Sequence, residues 1–163
     1  MSAQAAVDLE ARVCDEDHQA LKVWLRLLAC TNRIESEIRV RLRAQFGITL
    51  ARFDLLAQLE RSAKGLKMGE LSKRLMVSGG NVTGLTDELE KEGLVVRADD
   101  PTDRRAYTVK LTAAGRTLFA RMAAAHEQWV IELLAGLSEP EKAQIYRLLA
   151  KLKASLAAPA RET

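Results

Sequence analysis

Cysteine and histidine are scarce in this sequence, with two of each in 163 residues. Cys14 and Cys30 are separated by sixteen positions, about 24 Å along a helix, so no disulfide between them is expected. Cys14 and His18 share a helix face, but two ligands do not make a zinc site, and His126 lies far along the chain. We therefore predict no metal and no cofactor.

Catalytic motifs are also lacking. No carboxylate pair, Ser-His pair or metal cluster stands out in the sequence. Gly79-Gly80-x-x-x-Gly84 superficially resembles a phosphate loop, but no Gly-Lys-Ser/Thr follows it and no strand precedes it. We therefore predict that the protein is not an enzyme and has no catalytic residues.

Long hydrophobic runs are missing, since no segment approaches the ~20 apolar residues of a membrane span. Residues 1–20 carry five acidic residues against Arg12 alone, the opposite of the basic start of an export signal. The cytoplasm is the expected location, and there cysteines stay reduced.

The middle of the chain lacks a strong excess of positive or negative charge. The segment from Lys64 to Leu111 has nine basic and eight acidic residues, although the chain has a net charge of +3. Residues 21–46 hold six basic against two acidic residues. If the segment from Lys64 to Leu111 binds an anionic partner, binding must therefore depend on the positions of its basic residues and not on its net charge.

Apolar residues spaced by three and four predict a long helix from Leu21 to Phe46 that ends at Gly47. Thr49 is the expected N-cap of a second helix that ends near Ser62. At the other end of the chain, Thr112 is expected to cap a long helix. The capping box Ser138-Glu139-Pro140-Glu141 predicts the start of the last helix.

The stretch from Met68 to Gly115 has a distinctive order of elements. A two-turn helix is followed by a helix that Ser78 caps and Gly93 ends. The period then changes to two, which predicts strands at 94–97 and 106–111 around the turn Asp-Asp-Pro-Thr-Asp. Two short helices and a charged hairpin are typical of a winged helix-turn-helix.

The predicted fold class is mainly α with a small β-hairpin wing. We assign residues 49–115 to the winged helix-turn-helix DNA-binding domain, and 18–48 and 116–157 to a helical dimerisation region. Residues 1–17 are assigned to a flexible N-terminal tail and 158–163 to a C-terminal tail. Apolar stripes on the terminal helices favour interleaving with a second copy. Packing of those helices back onto their own chain is the alternative.

The hairpin motif Asp103-x-Arg105-x-x-x-Val109, followed by Leu111-Thr112 and Gly115, resembles the wing signature of the MarR (multiple antibiotic resistance regulator) family. Gly69-Glu70-Leu71 and the run from Val77 to Val95 resemble the family's helix-turn-helix. The likeness spans residues 20–156. It implies a homodimeric winged-helix transcription regulator, usually a repressor, whose affinity for DNA is lowered by a small ligand.

In a helix-turn-helix, the first residues of the second helix face base edges in the major groove. Asn81 has the chemistry to pair with adenine, and Thr83 to meet a thymine methyl group or a phosphate. Glycines let the helix start approach DNA closely, although the alternative is a simple cap and turn. The candidate DNA-binding residues of the two helices are Lys73, Arg74, Ser78, Gly79, Gly80, Asn81 and Thr83.

The hairpin adds Asp103, Arg104 and Arg105. Arg105 is the candidate for insertion into the minor groove, and we expect the carboxylate of Asp103 to hold its guanidinium in a bidentate pair. Arg104 points to the other face and is expected to contact phosphate. An ordinary solvated turn is the alternative. The predicted partner is a near-palindromic double-stranded DNA.

The resemblance also implies an effector site between the dimer helices and the DNA-binding lobe. The candidate residues are Trp24, Arg26, Cys30, Arg33 and Phe53, with Arg39 as a further one. The segments 24–30 and 49–54 look similar to regulators of aromatic-acid catabolism, some of which respond to hydroxycinnamoyl-coenzyme A thioesters. Phosphates call for several arginines, so the basic first helix suits an anionic effector, either a thioester or a free aromatic acid. A solvated helix face is the alternative.

Two other functions stay open. Arg26 and Arg33 lie within about a turn of Cys30 and favour its thiolate, which is typical of a redox sensor, although an inert packing cysteine is the alternative. An architectural DNA-binding protein needs no effector at all. His126, within the apolar stripe of its helix, is expected to pack at an interface.

Overall fold

The computed structural model describes residues 18–75, 79–103 and 105–157. These residues form six helices and three strands, in the order α1 (Gln19–Phe46), α2 (Leu50–Glu60), β1 (Leu66–Lys67), α3 (Met68–Leu75), α4 (Gly79–Lys91), β2 (Val95–Asp99), β3 (Tyr107–Leu111), α5 (Ala113–Leu133) and α6 (Glu139–Ala157). The predicted fold class, mainly α with a small wing, is confirmed. No helix in the described ranges has the length and apolar character to cross a membrane.

The predicted junction between α1 and α2 is confirmed. Gly47 adopts a left-handed conformation with φ of 65°, and its N–H donates to the carbonyl of Arg43. Glycine adopts this conformation without a steric penalty, which is why it ends the helix. The hydroxyl of Thr49 then accepts a hydrogen bond from the backbone N–H of Arg52 at 3.3 Å. Helix α2 ends at Glu60, two residues before the expected point.

The sheet has one strand more than the sequence predicted. β1 pairs with β3, so the antiparallel order is β1-β3-β2, with Leu66 opposite Val109. A strand of two residues is too short to show an alternating pattern, so the sequence carried no signal for it. β2 also continues to Asp99, two residues beyond its predicted end.

The core of the winged helix-turn-helix consists of fully buried aliphatic side chains from its helices and sheet. These include Leu55, Leu56, Leu59, Leu71, Val82, Leu89, Val95 and Val109. Thr86 is also fully buried, and its hydroxyl donates to the carbonyl of Val82 at 2.8 Å. Its polar atom is therefore satisfied, as burial requires.

The first turn of α5 lies against the end of α4. The hydroxyl of Thr112 donates to the carbonyl of Gly93 at 2.6 Å and accepts from the N–H of Gly115 at 3.0 Å. A Cβ atom on Gly115 would lie 2.0 Å from the carbonyl oxygen of Leu94. Only glycine therefore fits at this close approach.

The chain divides into two compact units after His126, within α5. In the second unit, the backbone N–H and hydroxyl of Ser138 donate to one carboxylate oxygen of Glu141, at 2.7 and 2.8 Å. These hydrogen bonds lower the pKa of Glu141 and confirm the predicted capping box. Helix α6, which follows, has no buried residue.

Candidate nucleic-acid interface

The N-terminal turn of α4 presents polar side chains to solvent. Asn81 and Thr83 are exposed, whereas Val82 and Leu89 are buried on the other side of the helix. The helical period therefore fixes which residues face outward. Gly79 begins α4 as expected, and the predicted cap Ser78 lies outside the described residues.

Helix α3 contributes basic side chains from its last turn. Lys73 and Arg74 are both exposed. Arg74 pairs with Glu70 on its own helix at 2.6 Å and donates to the hydroxyl of Ser62 at 3.4 Å. Both basic side chains thus end the helix that supports α4, and Arg74 is already held in place by its neighbours.

The hairpin tip differs from expectation in one contact. One Asp103 carboxylate oxygen accepts a hydrogen bond from the backbone N–H of Arg105 at 3.0 Å, and no side-chain pair of these two residues is present. An aspartate readily bonds to a backbone N–H two residues ahead, so its carboxylate closes the turn instead of gripping the guanidinium. The Arg105 side chain is exposed, and Arg104 lies outside the described residues.

The base of the tip is fixed by Asp100, which lies in the predicted turn but whose partner in β1 the sequence did not indicate. Its carboxylate accepts from the hydroxyl and backbone N–H of Thr102, at 2.6 and 2.8 Å. The ammonium of Lys67 in β1 lies 2.9 Å away. The Thr102 and Lys67 hydrogen bonds hold the pKa of Asp100 well below its usual range. The missed strand β1 therefore anchors the hairpin.

Arg97 in β2 was also missed by sequence reasoning. Its guanidinium contacts the carboxylates of Asp87 and Glu90 on α4, and it lies over the ring of Tyr107 at 5.4 Å from the ring centre. Asp87 and Glu90 stand three residues apart on one helix face, and this acidic pair was the available sequence signal. Arg97 connects α4 directly to the hairpin.

The predicted effector residues are not brought together as a group. Trp24, Arg26, Cys30 and Arg33 are exposed along the first half of α1. Phe53 is buried, and its ring centre lies 5.6 Å from that of Phe119 and 5.1 Å from that of His126. His126, expected at an interface, thus packs on a phenylalanine of its own chain.

A cleft of about 720 Å³ lies between the second half of α1 and the start of α2. Its lining residues are Glu35, Arg39, Val40, Arg43, Ala44, Ile48, Thr49, Leu50, Ala51 and Asp54. Burial and the charge of Glu35 raise the pKa of Asp54, although His126 opposes the shift. The cleft therefore combines an apolar floor with two arginines and two carboxylates.

The described residues include no group of three or more His, Cys, Asp or Glu side chains able to hold a metal ion. Cys14, one of the two residues considered for zinc, lies outside the described ranges. Cys30 is a free and exposed cysteine.

Sequence and structure comparisons with known proteins identify the family of this chain. The model of the MarR family matches residues 46–106, from the end of α1 to the hairpin. A MarR family transcriptional regulator from Silicibacter pomeroyi has a similar structure, with a TM-score of 0.74 and 33% identity, over 88% of this chain and 99% of that one. The chain belongs to the MarR family of transcriptional regulators.

Two further relatives bear on the activity of this MarR-family protein. The transcriptional repressor MdtR of Bacillus subtilis is 31% identical over 130 residues, or 80% of this chain and 83% of the relative. A mutant of Escherichia coli MarR in complex with operator DNA has a TM-score of 0.71 and 26% identity, over 85% and 99% of the two chains. Members of this family are DNA-binding transcriptional regulators, not enzymes.

Proposed function

We propose that this MarR-family protein is a homodimeric repressor that an anionic effector releases from its operator. The carrying observation is that α4 exposes Asn81 and Thr83 in its first turns while Arg105 stands exposed at the hairpin tip. A helix for the major groove and an arginine for the minor groove are thus presented by the same folded unit.

In the proposed complex, Asn81 reads a base edge, and Thr83 contacts a base or phosphate. Arg105 enters the minor groove. Lys73, Arg74 and Arg104 contact phosphates, and Ser78, Gly79 and Gly80 bring the start of α4 close to the DNA backbone. The N-terminus of α4 adds its free N–H groups and its positive dipole end.

The proposed dimer rests on exposed apolar side chains at both ends of the chain. Helix α1 exposes Leu21, Val23, Trp24 and Leu28. Helix α6 exposes Ile145, Tyr146, Leu148, Leu149, Leu152 and Leu156. Exposed apolar side chains that recur along a helix favour burial against a second copy. The likeness to MdtR, which is described as a repressor, supports the repressor assignment.

The α1–α2 cleft supports an effector of mixed apolar and anionic character. Its volume of about 720 Å³ lies within the range of small-molecule sites, ~300–1,000 Å³. Arg39 and Arg43 lie one helical turn apart at its edge, and guanidinium groups bind carboxylates or phosphates well. An aromatic acid or the acyl part of its coenzyme A thioester matches this lining. The exposed Arg26 and Arg33, with Trp24 and Cys30, extend the basic surface along α1.

The cleft is also connected to α4, the proposed recognition helix. Arg52 follows the cleft residue Ala51, and its guanidinium lies 2.5 Å from the carboxylate of Glu92, just after the end of α4. Helix α2 therefore touches the cleft at one side and α4 at the other. A ligand that shifts α2 has a short path to the DNA-binding surface.

The test begins with an operator selected from a random pool of DNA duplexes by the full-length protein. Gel shifts then measure release by benzoate, by 4-hydroxycinnamate and by its coenzyme A thioester. We expect release by at least one of them, and loss of that release in the double variant R39Q/R43Q, with DNA affinity kept. The exposed Arg121→Gln variant, which removes a charge from α5, is the control.

Other outcomes contradict parts of the proposal. Unaltered binding with every ligand supports the architectural alternative. Release by peroxide that Cys30→Ser abolishes supports the redox alternative. A reporter gene that the bound protein activates excludes the repressor assignment.

A further inference from the structure

Arg97 joins the two parts of the molecule that carry the proposed DNA contacts. It lies in β2 opposite Val109, while its guanidinium contacts Asp87 and Glu90 on α4. Its backbone N–H donates to the Glu90 carboxylate at 3.3 Å, and its guanidinium stacks over Tyr107 in β3. One side chain therefore touches the recognition helix and both strands of the hairpin.

The surroundings of Arg97 are those of an internal connection, not of a DNA contact. Its side chain is 21% exposed, and two carboxylates balance its single positive charge. Burial opposes its charge, but the hydrogen bonds with Asp87 and Glu90 outweigh this and raise the pKa of Arg97. Little of the guanidinium remains available for a phosphate.

A two-stranded hairpin is marginally stable by itself and twists easily. On its β1 side, this hairpin is held by the ion pair of Lys67 and Asp100. Toward α4, the ion pairs that the structure shows from this hairpin are those of Arg97 with Asp87 and Glu90. Arg97 therefore adds a charged contact between the hairpin and α4 to the buried packing of Val95 and Val109.

We propose that Arg97 is a positioning residue that sets where Arg105 stands relative to Asn81, so that both grooves are contacted at once. The inference rests on the proposed roles of Arg105 and α4. The planar guanidinium suits this task, because it bonds two carboxylates with fixed geometry and stacks on an aromatic ring.

The first test asks whether DNA affinity rises or falls when a carboxylate is removed from α4. Removing a carboxylate from a DNA-facing helix should strengthen DNA binding if charge alone matters. We expect Glu90→Gln to weaken binding of the selected operator, because it loosens Arg97. The matched control Glu88→Gln removes the same charge from an exposed position of α4 and should leave affinity equal or higher.

The second test is a double-mutant cycle on the full-length protein, with the operator selected from a random pool and a scrambled duplex of the same length. Arg105→Ala is expected to weaken operator binding by about 5- to 100-fold, the range for a lost specific contact. Arg97→Met should cause a loss of similar size, and the double variant should bind within about twofold of Arg105→Ala alone. Binding of the scrambled duplex by Arg97→Met should stay unchanged.

The outcomes separate the two proposals. If Arg105→Ala leaves operator affinity unchanged, the wing assignment is wrong, and the inference about Arg97 is wrong with it. If Arg105→Ala weakens binding but the Arg97 effect adds to it in full, only the inference is overturned. If thermal unfolding shows that Arg97→Met is not folded, Arg97→Lys is taken through the same cycle, because it keeps the charge and lacks the planar fork.

Discussion

The winged helix-turn-helix and helix α6 contain similar apolar residues but treat them differently. Between α2 and β3, leucines such as Leu55, Leu56 and Leu71 are fully buried within the chain itself. In α6, Leu149, Leu152 and Leu156 are exposed, and no residue of the helix is buried. The first region supplies its own core, whereas the apolar side chains of the second stay exposed in the single chain. The apolar pattern of a helix thus predicts which face favours burial. Only the structure shows whether residues of the same chain cover that face.

The largest expected effect comes from dimer formation, which would bury the exposed side of this comparison. Leu152→Gln places a polar group in the proposed interface and should raise the dimer dissociation constant at least tenfold, since a central interface residue contributes about 2 kcal/mol or more. Sedimentation equilibrium measures the change. Lys153→Gln, at the exposed neighbouring position, should leave the dimer intact. Equal behaviour of the two variants would mean that α6 does not form the interface.

A core substitution tests the other side of the comparison. Leu56→Ala should lower the free energy of unfolding by about 2–5 kcal/mol, because it leaves a cavity at a fully buried site. Lys153→Ala, at an exposed position of α6 that lies outside the proposed interface, should change it by less than about 0.5 kcal/mol. Urea unfolding followed by circular dichroism measures both. Similar losses in the two variants would remove the distinction between the regions.

A pair of glycines compares two helix positions with different surroundings. Gly115→Ala should destabilise the protein by about 1–3 kcal/mol or more, because the new Cβ meets the carbonyl of Leu94. Gly84→Ala has open space around its Cβ and should stabilise α4 by about 0.5–1 kcal/mol, the propensity difference between glycine and alanine. Thermal melts are expected to move in opposite directions. A tolerated alanine at 115 would contradict the tight junction of α4 and α5.

The smallest expected effect depends on pH and concerns the base of the hairpin. Because hydrogen bonds lower the pKa of Asp100 in the folded state, its charged form stabilises the fold above the ordinary pKa of about 3.9. That contribution disappears as the pH falls toward the lowered value. The melting temperature of Asp100→Asn should therefore lie below wild type at pH 7, and the gap should narrow below about pH 4. Asp99→Asn, at the exposed preceding residue, is the control, and a gap that does not depend on pH would exclude the ion pair as its source.

Residues with local signals were predicted well. Gly47, Thr49, Ser138 and Glu141 each determine a helix end through contacts within four residues, and such contacts can be read from spacing. The overall fold followed from these ends and from the change of period after Gly93. The resemblance of the hairpin motif further identified the family.

Contacts between distant residues could not be predicted in this way. Lys67 meets Asp100 across 33 positions, so this pairing leaves no local pattern. For Arg97 the sequence shows only the acidic pair Asp87 and Glu90 on α4, and it does not show which basic residue that pair meets. Phe53 was assigned to a ligand site through the family resemblance, which does not show that its ring is buried against Phe119 and His126. Burial and long-range partners depend on how elements pack, and a single sequence gives little information on that.

The tight junction at Gly115 has a mechanical consequence. Thr112 ties the start of α5 to Gly93, just after the end of α4, and a Cβ on Gly115 would meet the carbonyl of Leu94. Because no room is left between these two segments, we expect the end of α4 and the first turn of α5 to move together. A rotation of α4 would then reach the start of α5 without a flexible joint between them.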